Sequence, residues 1–291
     1  MSIIVTATSG NLGSSIVRAL LNRGADPTSV IATARDSRRL TALSSSGVRV
    51  ADLDYNAPQA LSAIASNGDV LVLVSGSEMG QRVAQHTGMI DAAIAAGVTR
   101  IAYTSALRAT TSALLVNPEH KATEEHLTAS GVAFTALRNG WYNENYRLVL
   151  DEARRDGGFF GSVGRGRVTS AAIADYADAA AVVALDDAYA GRVLELGGDE
   201  AWSYPELAQK LSEVLGTPVT YTDLTPEAHQ QRLESAGVPS GRAAFAVALD
   251  GNTRDGLLSD DSGDLCATIG RPTTPIAHTL AAMAQQGTGQ A

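Results

Sequence analysis

The chain has 291 residues, of which 45% are hydrophobic and 18% charged, and its net charge is −9. This length allows one large domain or two small ones, and the acidic balance disfavours nucleic acid as a partner. No apolar run is long enough to cross a membrane, and the single Cys266 excludes an internal disulfide and a cysteine metal site. Because a predicted strand begins directly after Ser2, we expect no secretory leader and a cytoplasmic protein.

The first 140 residues alternate short apolar runs with helical patterns. The predicted strands cover 3–7, 30–33, 48–50, 70–74, 100–104 and 132–137, and the predicted helices cover 12–23, 37–46, 57–66, 80–96 and 119–130. Such alternation predicts an α/β fold with a parallel sheet and helices on both faces. Right-handed crossovers favour the doubly wound Rossmann order.

A glycine-containing turn at 6–13 lies between the first predicted strand and the first predicted helix. This context is typical of a site where backbone N–H groups and a helix N-terminus meet a dinucleotide pyrophosphate. Ala7 stands where a first glycine is usual, and its methyl group leaves the effect on affinity open. The predicted cofactor contacts in this turn are Thr6, Thr8, Ser9, Gly10, Asn11, Leu12 and Gly13.

The end of the second predicted strand is where a dinucleotide fold selects its cofactor. Arg35 takes the selecting position, and Arg38 and Arg39 follow one helical turn later. Clustered guanidinium groups favour a 2′-phosphate, so we expect NADPH, with Arg35 and Arg39 in contact with it. Asp36 is the alternative: it could bind a ribose hydroxyl and favour NADH.

Short-chain dehydrogenases use a Tyr-x-x-x-Lys pair with a serine upstream, in which tyrosine exchanges the proton and lysine holds the ribose. Lys121 fits the lysine position and Ser105 the serine position, so both are predicted cofactor contacts. Asn117 stands in place of the tyrosine, so the usual acid for ketone reduction is missing. His86 and His120 could supply protons near neutral pH, although a structural role explains each more simply.

The second half of the chain is less regular. We predict a NAD(P)-binding Rossmann domain at 1–150, to which 170–198 returns, and a smaller α/β substrate lobe at 151–291. The predicted elements there are a short strand at Phe159-Phe160, a helix at 173–185, a strand at 192–196, a capping box that opens a helix at Ser203, helix caps at Thr225 and Thr274, and a mobile cover at 237–263.

Two longer motifs follow predicted strands. They read SGSEMGQR at 75–82 and RNGWYNENY at 138–146, and a third segment, IAYTS, lies at 101–105. Together they resemble the NmrA-like atypical short-chain dehydrogenases, and among these the quinone-reducing members in particular. The resemblance extends over nearly the whole chain and is carried more by the two long motifs than by the glycine turn.

This resemblance implies reduction of quinones by NADPH without flavin or metal. It places Asn139, Trp141 and Tyr142 near the nicotinamide as candidate catalytic residues. The two aromatic rings could form a wall for a flat quinone. The Asn139 amide could donate to a carbonyl oxygen or to the carboxamide of the cofactor. The cofactor contacts implied in the two motifs are Ser75, Gly76, Ser77, Asn139, Gly140, Trp141 and Tyr142.

Two other functions are compatible with the missing tyrosine. NmrA-like proteins include redox sensors that bind the dinucleotide and regulate a partner, and a reductase of aromatic polyketide quinones would use the same chemistry with another pocket. The sequence leaves the identity of the quinone, the physiological role and the formation of a homodimer open.

Overall fold

The computed structural model describes residues 1–286. Its strands are β1 (Ile3–Val5), β2 (Val30–Ala34), β3 (Arg49–Asp52), β4 (Val70–Leu73), β5 (Arg100–Ala106), β6 (Ala133–Asn139), β7 (Gly158–Gly161), β8 (Arg167–Val168), β9 (Val193–Leu196), β10 (Trp202–Ser203) and β11 (Thr220–Asp223). Its α-helices are α1 (Asn11–Asn22), α2 (Thr41–Ser44), α3 (Arg82–Ala95), α4 (Asn117–Ser130), α5 (Arg147–Asp156), α6 (Ile173–Leu185), α7 (Tyr204–Leu215), α8 (Pro226–Ser235), α9 (Ser240–Arg254), α10 (Asp264–Ile269) and α11 (Ile276–Gln286).

Seven of these strands form one parallel sheet in the order β3-β2-β1-β4-β5-β6-β9. Alternate residues of β1 face opposite sides, so Ile3 and Val5 pack in one apolar core with α1 and α6, while Ile4 packs in the other with α3 and α4. This is a Rossmann-type sheet with helices on both faces, as the sequence predicts, and it includes the strand expected at 192–196.

The strand order reverses between β1 and β4, which are neighbours although they are far apart in sequence. The loops that leave these two strands therefore diverge to opposite sides and open a crevice at the carboxyl edge of the sheet. Ligands of doubly wound folds bind in this crevice.

A third apolar core lies in the second half of the chain. Trp202, Tyr146 and Tyr204 form its aromatic centre, with ring centroids 4.9 to 6.2 Å apart. The small sheets β10-β8 and β11-β7 flank this core, and Ala106 at the end of β5 belongs to it. The second half therefore packs against the carboxyl edge of the main sheet, next to the crevice.

Several predicted elements differ in the structure. The strand predicted at 3–7 ends at Val5, because Ala7 has a left-handed backbone with φ of +53°. The helix predicted at 57–66 is a 3₁₀ helix at Pro58–Ala63 whose one buried side chain, Leu61, provides little packing for a longer α-helix. The helix predicted at 37–46 is likewise split into a 3₁₀ turn at Ser37–Leu40 and the short α2.

The segment predicted as a mobile cover, 237–263, contains the fifteen-residue helix α9. Its glycines misled the prediction, because Gly251 lies inside the helix and is buried. The helix is also packed tightly at its end, since a Cβ on Gly166 would lie 2.1 Å from the Thr253 carbonyl oxygen.

The predicted helix caps have different outcomes. The capping box at Ser203 and the cap at Thr225 are present, and the Thr225 hydroxyl accepts from the N–H of Ala228 at 3.2 Å. Thr274 does not cap a helix. Its hydroxyl donates to the Asp175 carboxylate at 3.1 Å, and α11 begins at Ile276.

No helix within residues 1–286 has both the length and the apolar character needed to cross a membrane.

Candidate functional site

A cavity of about 510 Å³ occupies the crevice at the carboxyl edge of the sheet. One end is lined by the glycine turn, by Arg35 and by the 75–78 loop. The other end is lined mainly by apolar side chains from both halves of the chain: Ala106, Leu107, Leu114, Val116, Trp141 and Leu258. The cavity thus joins a polar end near the start of α1 to an apolar end near the second lobe.

The glycine turn brings its own backbone against α1. A Cβ on Gly13 would lie 2.6 Å from the Ala7 carbonyl oxygen, and a Cβ on Gly10 would lie 3.3 Å from the same atom. Glycine at 13 therefore permits the close packing of the turn on the helix. Ser9, Gly10, Asn11, Leu12 and Gly13 line the cavity, so the N-terminus of α1 opens onto it.

The two threonines of this turn do not line the cavity. The Thr6 hydroxyl lies 2.6 Å from the Tyr55 hydroxyl, and the Thr8 hydroxyl donates to the Thr33 carbonyl at 3.0 Å. Both are buried between strand ends. These hydrogen bonds hold Thr6 and Thr8 in place directly after the end of β1 and so fix the start of the turn.

Arg35 lines the cavity next to an acidic side chain. Its guanidinium lies 3.4 Å from the Glu78 carboxylate, and both side chains are largely exposed. Arg39 lies outside the lining, and Arg38 is engaged by the Asp36 carboxylate at 2.8 and 2.9 Å. Of this predicted cluster, the structure brings Arg35 alone to the cavity.

The 75–78 loop is held from behind by buried groups. The N–H of Gly76 donates to Nε2 of His86 at 3.1 Å, and the Arg82 guanidinium donates to the Gly76 carbonyl at 2.7 Å. A Cβ on Gly76 would lie 3.5 Å from the Tyr55 ring. Ser75, Gly76 and Ser77, the cofactor contacts predicted in this motif, line the cavity.

Ser105 and Lys121 have different environments. Ser105 lines the cavity, and its hydroxyl donates to the Glu124 carboxylate at 2.6 Å, while Glu124 also accepts from Arg138 at 2.6 Å. Lys121 lies outside the lining, because the other face of α4 is turned towards the sheet. Its amine is exposed and lies 3.9 Å from the Glu125 carboxylate. This position does not support a cofactor contact.

Asn117, at the position expected for the tyrosine, is buried and bonded to the backbone. Its amide donates to the carbonyl oxygens of Leu107 and Arg108 at 3.1 and 3.2 Å. It therefore fixes the loop after β5 rather than providing a proton.

The 139–142 segment lies in the wall of the cavity. The Asn139 amide donates to the Tyr142 hydroxyl at 3.2 Å, and the Tyr142 ring packs on Tyr176 with centroids 5.0 Å apart. Oδ1 of Asn139 is buried without a partner in the described part of the chain. The sequence predicts that the Asn139 amide donates to a carbonyl oxygen or to the carboxamide. In the structure one N–H of its amide donates to Tyr142, and its Oδ1 is covered by the surrounding protein, so this acceptor is not presented to the cavity.

Two buried histidines lie near the 75–78 loop, and His120 lines the cavity whereas His86 does not. Burial, together with the charge of Arg82, lowers the pKa of His120 to about 3 and that of His86 to about 4. Both imidazoles are therefore neutral at physiological pH. An imidazolium proton source at either position is not supported.

Several lining residues were not foreseen from the sequence. Asn145 lies within the 138–146 motif, which was the available signal. Tyr55 and Leu258 come from loops whose sequence carries no recognisable pattern. Leu258 is held in place by Arg108, whose guanidinium donates to the carbonyl oxygens on either side of it, those of Leu257 and Ser259, at 2.7 and 2.9 Å. Residues 1–286 contain no group of three or more His, Cys, Asp or Glu side chains that could hold a metal ion.

The sequence model of the NmrA-like family matches residues 1–246 of this chain. The chain belongs to the NmrA-like family. It is 40% identical to quinone oxidoreductase 2 of Escherichia coli over 278 residues, which are 96% of this chain and 97% of that protein.

Two solved structures of similar proteins contain a nicotinamide dinucleotide. The NADPH-dependent quinone oxidoreductase QOR2 of Escherichia coli, complexed with NADPH, superposes with a TM-score of 0.91 at 40% identity, over 97% of this NmrA-like chain and 99% of that one. The triphenylmethane reductase of Citrobacter sp., complexed with NADP(H), gives a TM-score of 0.91 at 30% identity, over 97% and 100% of the two chains.

Proposed function

We propose that the chain is an NADPH-dependent oxidoreductase that reduces quinones by direct hydride transfer without flavin. The observation that carries this proposal is the continuity of the cavity. It runs from a glycine turn at a helix N-terminus, past the Asn139–Tyr142 wall, to an apolar end built partly by the second lobe. A dinucleotide in the polar part would direct its nicotinamide towards the apolar part, where a flat quinone fits.

The residues present fit NADPH. The backbone N–H groups at the start of α1 would bind the pyrophosphate, and Arg35 would bind the 2′-phosphate. Asn139, Trp141 and Tyr142 in the cavity wall would lie beside the nicotinamide. In this proposal the cofactor-binding unit comprises 1–150 with 170–198, and the rest of 151–291 completes the substrate end.

Bound NADPH supplies the hydride, and the overall change is NADPH plus quinone plus one proton to NADP⁺ plus hydroquinone. The contribution of the chain is to orient the two rings and to exclude water from the apolar end. Trp141 and Leu258 line that end. A quinone becomes aromatic as it accepts the hydride, so it needs little help from an acid.

Ordinary ketones would be poor substrates of this site. The alkoxide that forms from a ketone needs a proton donor, and Asn117 is bound to the backbone while His86 and His120 are neutral. We propose a small-molecule quinone as the partner of this site, and the net charge of −9 disfavours nucleic acid. A cytoplasmic location is part of the same proposal.

Steady-state oxidation of NADPH with a panel of simple quinones and simple ketones, without added flavin or metal, tests this function. We expect turnover of several quinones and little turnover of ketones. Tight NADPH binding by calorimetry, combined with no oxidation by any quinone, would reject the proposal and favour a dinucleotide sensor.

A further inference from the structure

Three buried aromatic side chains, His86, Tyr103 and His120, lie within hydrogen-bond distance of one another in succession, starting at the backbone N–H of Gly76 and ending at His120 in the cavity wall. At the loop end, Nε2 of His86 accepts the N–H of Gly76 at 3.1 Å, so this nitrogen carries no hydrogen. Burial keeps His86 neutral, with its pKa lowered to about 4. Its single ring hydrogen is therefore on Nδ1.

The hydrogen on Nδ1 of His86 determines the next bond. This atom lies 3.1 Å from the Thr123 hydroxyl, which already donates its own hydrogen to the Glu119 carbonyl at 2.9 Å. Thr123 can thus accept from His86. Because Nδ1 of His86 carries a hydrogen, it is not an acceptor for the Tyr103 hydroxyl, which lies 3.4 Å away.

The Tyr103 hydroxyl has a closer partner on the other side. It lies 2.8 Å from Nδ1 of His120, and burial raises the pKa of Tyr103, so the phenol keeps its hydrogen. At 2.8 Å, Nδ1 of His120 is closer to this hydroxyl than Nδ1 of His86 at 3.4 Å, so we assign the O–H as its donor. The hydrogen of the neutral His120 ring is then on Nε2.

Nε2 of His120 has no hydrogen-bond partner within residues 1–286. This nitrogen is unpaired but not fully covered, and His120 lines the cavity. This nitrogen therefore keeps access to the cavity and has no competing acceptor. His120 also lies one position before Lys121, whose amine faces outward on the same helix.

We infer that His120 presents a fixed, neutral Nε2–H donor to an uncharged oxygen of the bound ligands, and that Tyr103 and His86 are positioning residues that set this tautomer. The oxygen would be a ribose hydroxyl of NADPH or a carbonyl of the quinone, and both are neutral acceptors. This inference rests on the proposed function. A donor whose direction is set before binding loses little freedom when the ligand arrives.

Nitrogen-15 NMR of the ligand-free protein tests the tautomer directly. We expect His120 to be protonated on Nε2 and to show no titration between about pH 5 and 8, and we expect a mixture of tautomers in Tyr103→Phe. The charged groups near His86, Tyr103 and His120 are Arg82, Glu119 and Glu124. None of them contacts Nε2 of His120. Protonation on Nδ1, or an imidazolium in this pH range, would overturn the inference whether or not the protein reduces quinones.

Binding and kinetics identify the oxygen. If the oxygen is a ribose hydroxyl, we expect His120→Ala to raise the Kd of NADPH about fivefold to tenfold. If it is a quinone carbonyl, we expect the same substitution to lower kcat/KM for the quinone by about the same factor. His120→Gln, which can place an amide N–H near the same point, is expected to restore part of the loss, and Tyr103→Phe to lose part of it.

His126→Ala is the matched control. It removes another histidine of α4, whose imidazole lies at the surface 2.7 Å from the Asp91 carboxylate. We expect it to change neither constant. Kd and kcat/KM both within twofold of the wild type in folded His120→Ala would overturn the inference. If the alanine variant does not fold, the same result in folded Tyr103→Phe would overturn it.

Discussion

Removal of the Arg35 guanidinium is expected to affect the binding of NADPH and of NADH differently. Arg35 lines the polar end of the cavity, where we place the 2′-phosphate that NADPH carries and NADH lacks. Arg35→Ala is therefore expected to weaken NADPH binding and to leave NADH binding almost unchanged.

The size of this loss follows from the exposure of the side chain. A hydrogen bond to a charged group contributes about 1.5–3 kcal/mol, but Arg35 is 72% exposed, so water reduces its contribution to the lower part of this range. The substitution also leaves the Glu78 carboxylate, now 3.4 Å from the guanidinium, without its cationic neighbour. This acid would then repel the phosphate. We expect NADPH to bind about tenfold to thirtyfold more weakly.

Isothermal titration calorimetry with both dinucleotides measures this effect. Arg38→Ala is the matched control, because Arg38 is a nearby exposed arginine that pairs with Asp36 and does not line the cavity. We expect the control to bind both dinucleotides as the wild type does. Equal losses of NADPH and NADH in Arg35→Ala, or the same loss of NADPH in the control, would refute the assignment.

Other changes test the remaining parts of the site. Glu78→Gln is expected to tighten NADPH relative to NADH by about twofold to threefold, because it removes a negative charge near the phosphate; an unchanged ratio of Kd values would contradict this. Gly10→Val is expected to abolish NADPH binding while the protein stays folded, as judged by calorimetry and circular dichroism. Trp141→Ala is expected to lower kcat/KM for quinones with little change in the Kd of NADPH, and unaffected turnover would discard the aromatic wall. The free energy of unfolding is expected to fall as pH decreases below about 6.5, by up to roughly 2 kcal/mol at pH 5 for each of His86 and His120, because unfolding lets them bind protons; urea titrations that give equal stability at pH 5 and 7 would contradict it.

The sheet and the polar end of the cavity could be predicted because they rest on local patterns. Short apolar runs that alternate with helical patterns indicate parallel strands, and the strand–turn–helix context locates the pyrophosphate site. Even the departure at Ala7 has a local explanation. Its φ of +53° is the conformation for which glycine is preferred, so Ala7→Gly would relieve backbone strain at the usual glycine position.

Positions on α4 could not be predicted with the same success. Sequence spacing placed Lys121 in the site, but the helix turns His120, one residue earlier, towards the cavity. A step of one residue rotates a side chain by about 100° around a helix, so adjacent positions such as His120 and Lys121 point in different directions. The rotation is fixed by which residues pack on the sheet, and the spacing alone does not contain this information.

The apolar end was the least predictable part. Leu258 reaches it because Arg108, in a left-handed conformation with φ of +47°, bonds to the backbone on both sides of it. These two residues are 150 positions apart, and nothing in either local sequence indicates that they meet. Such contacts depend on how the two halves pack, which is decided by the whole fold.

Direct hydride transfer from bound NADPH to a quinone is the central claim, and a single-turnover experiment tests it most directly. The protein, loaded with NADPH and free of flavin and metal, is mixed with excess quinone in a stopped-flow instrument without oxygen. We expect NADPH absorbance to decay in one phase that is slowed by deuterium on one face of C4 of the nicotinamide and not by deuterium on the other. Absence of decay, a need for added flavin, or a rate that neither deuterium position changes would contradict the claim.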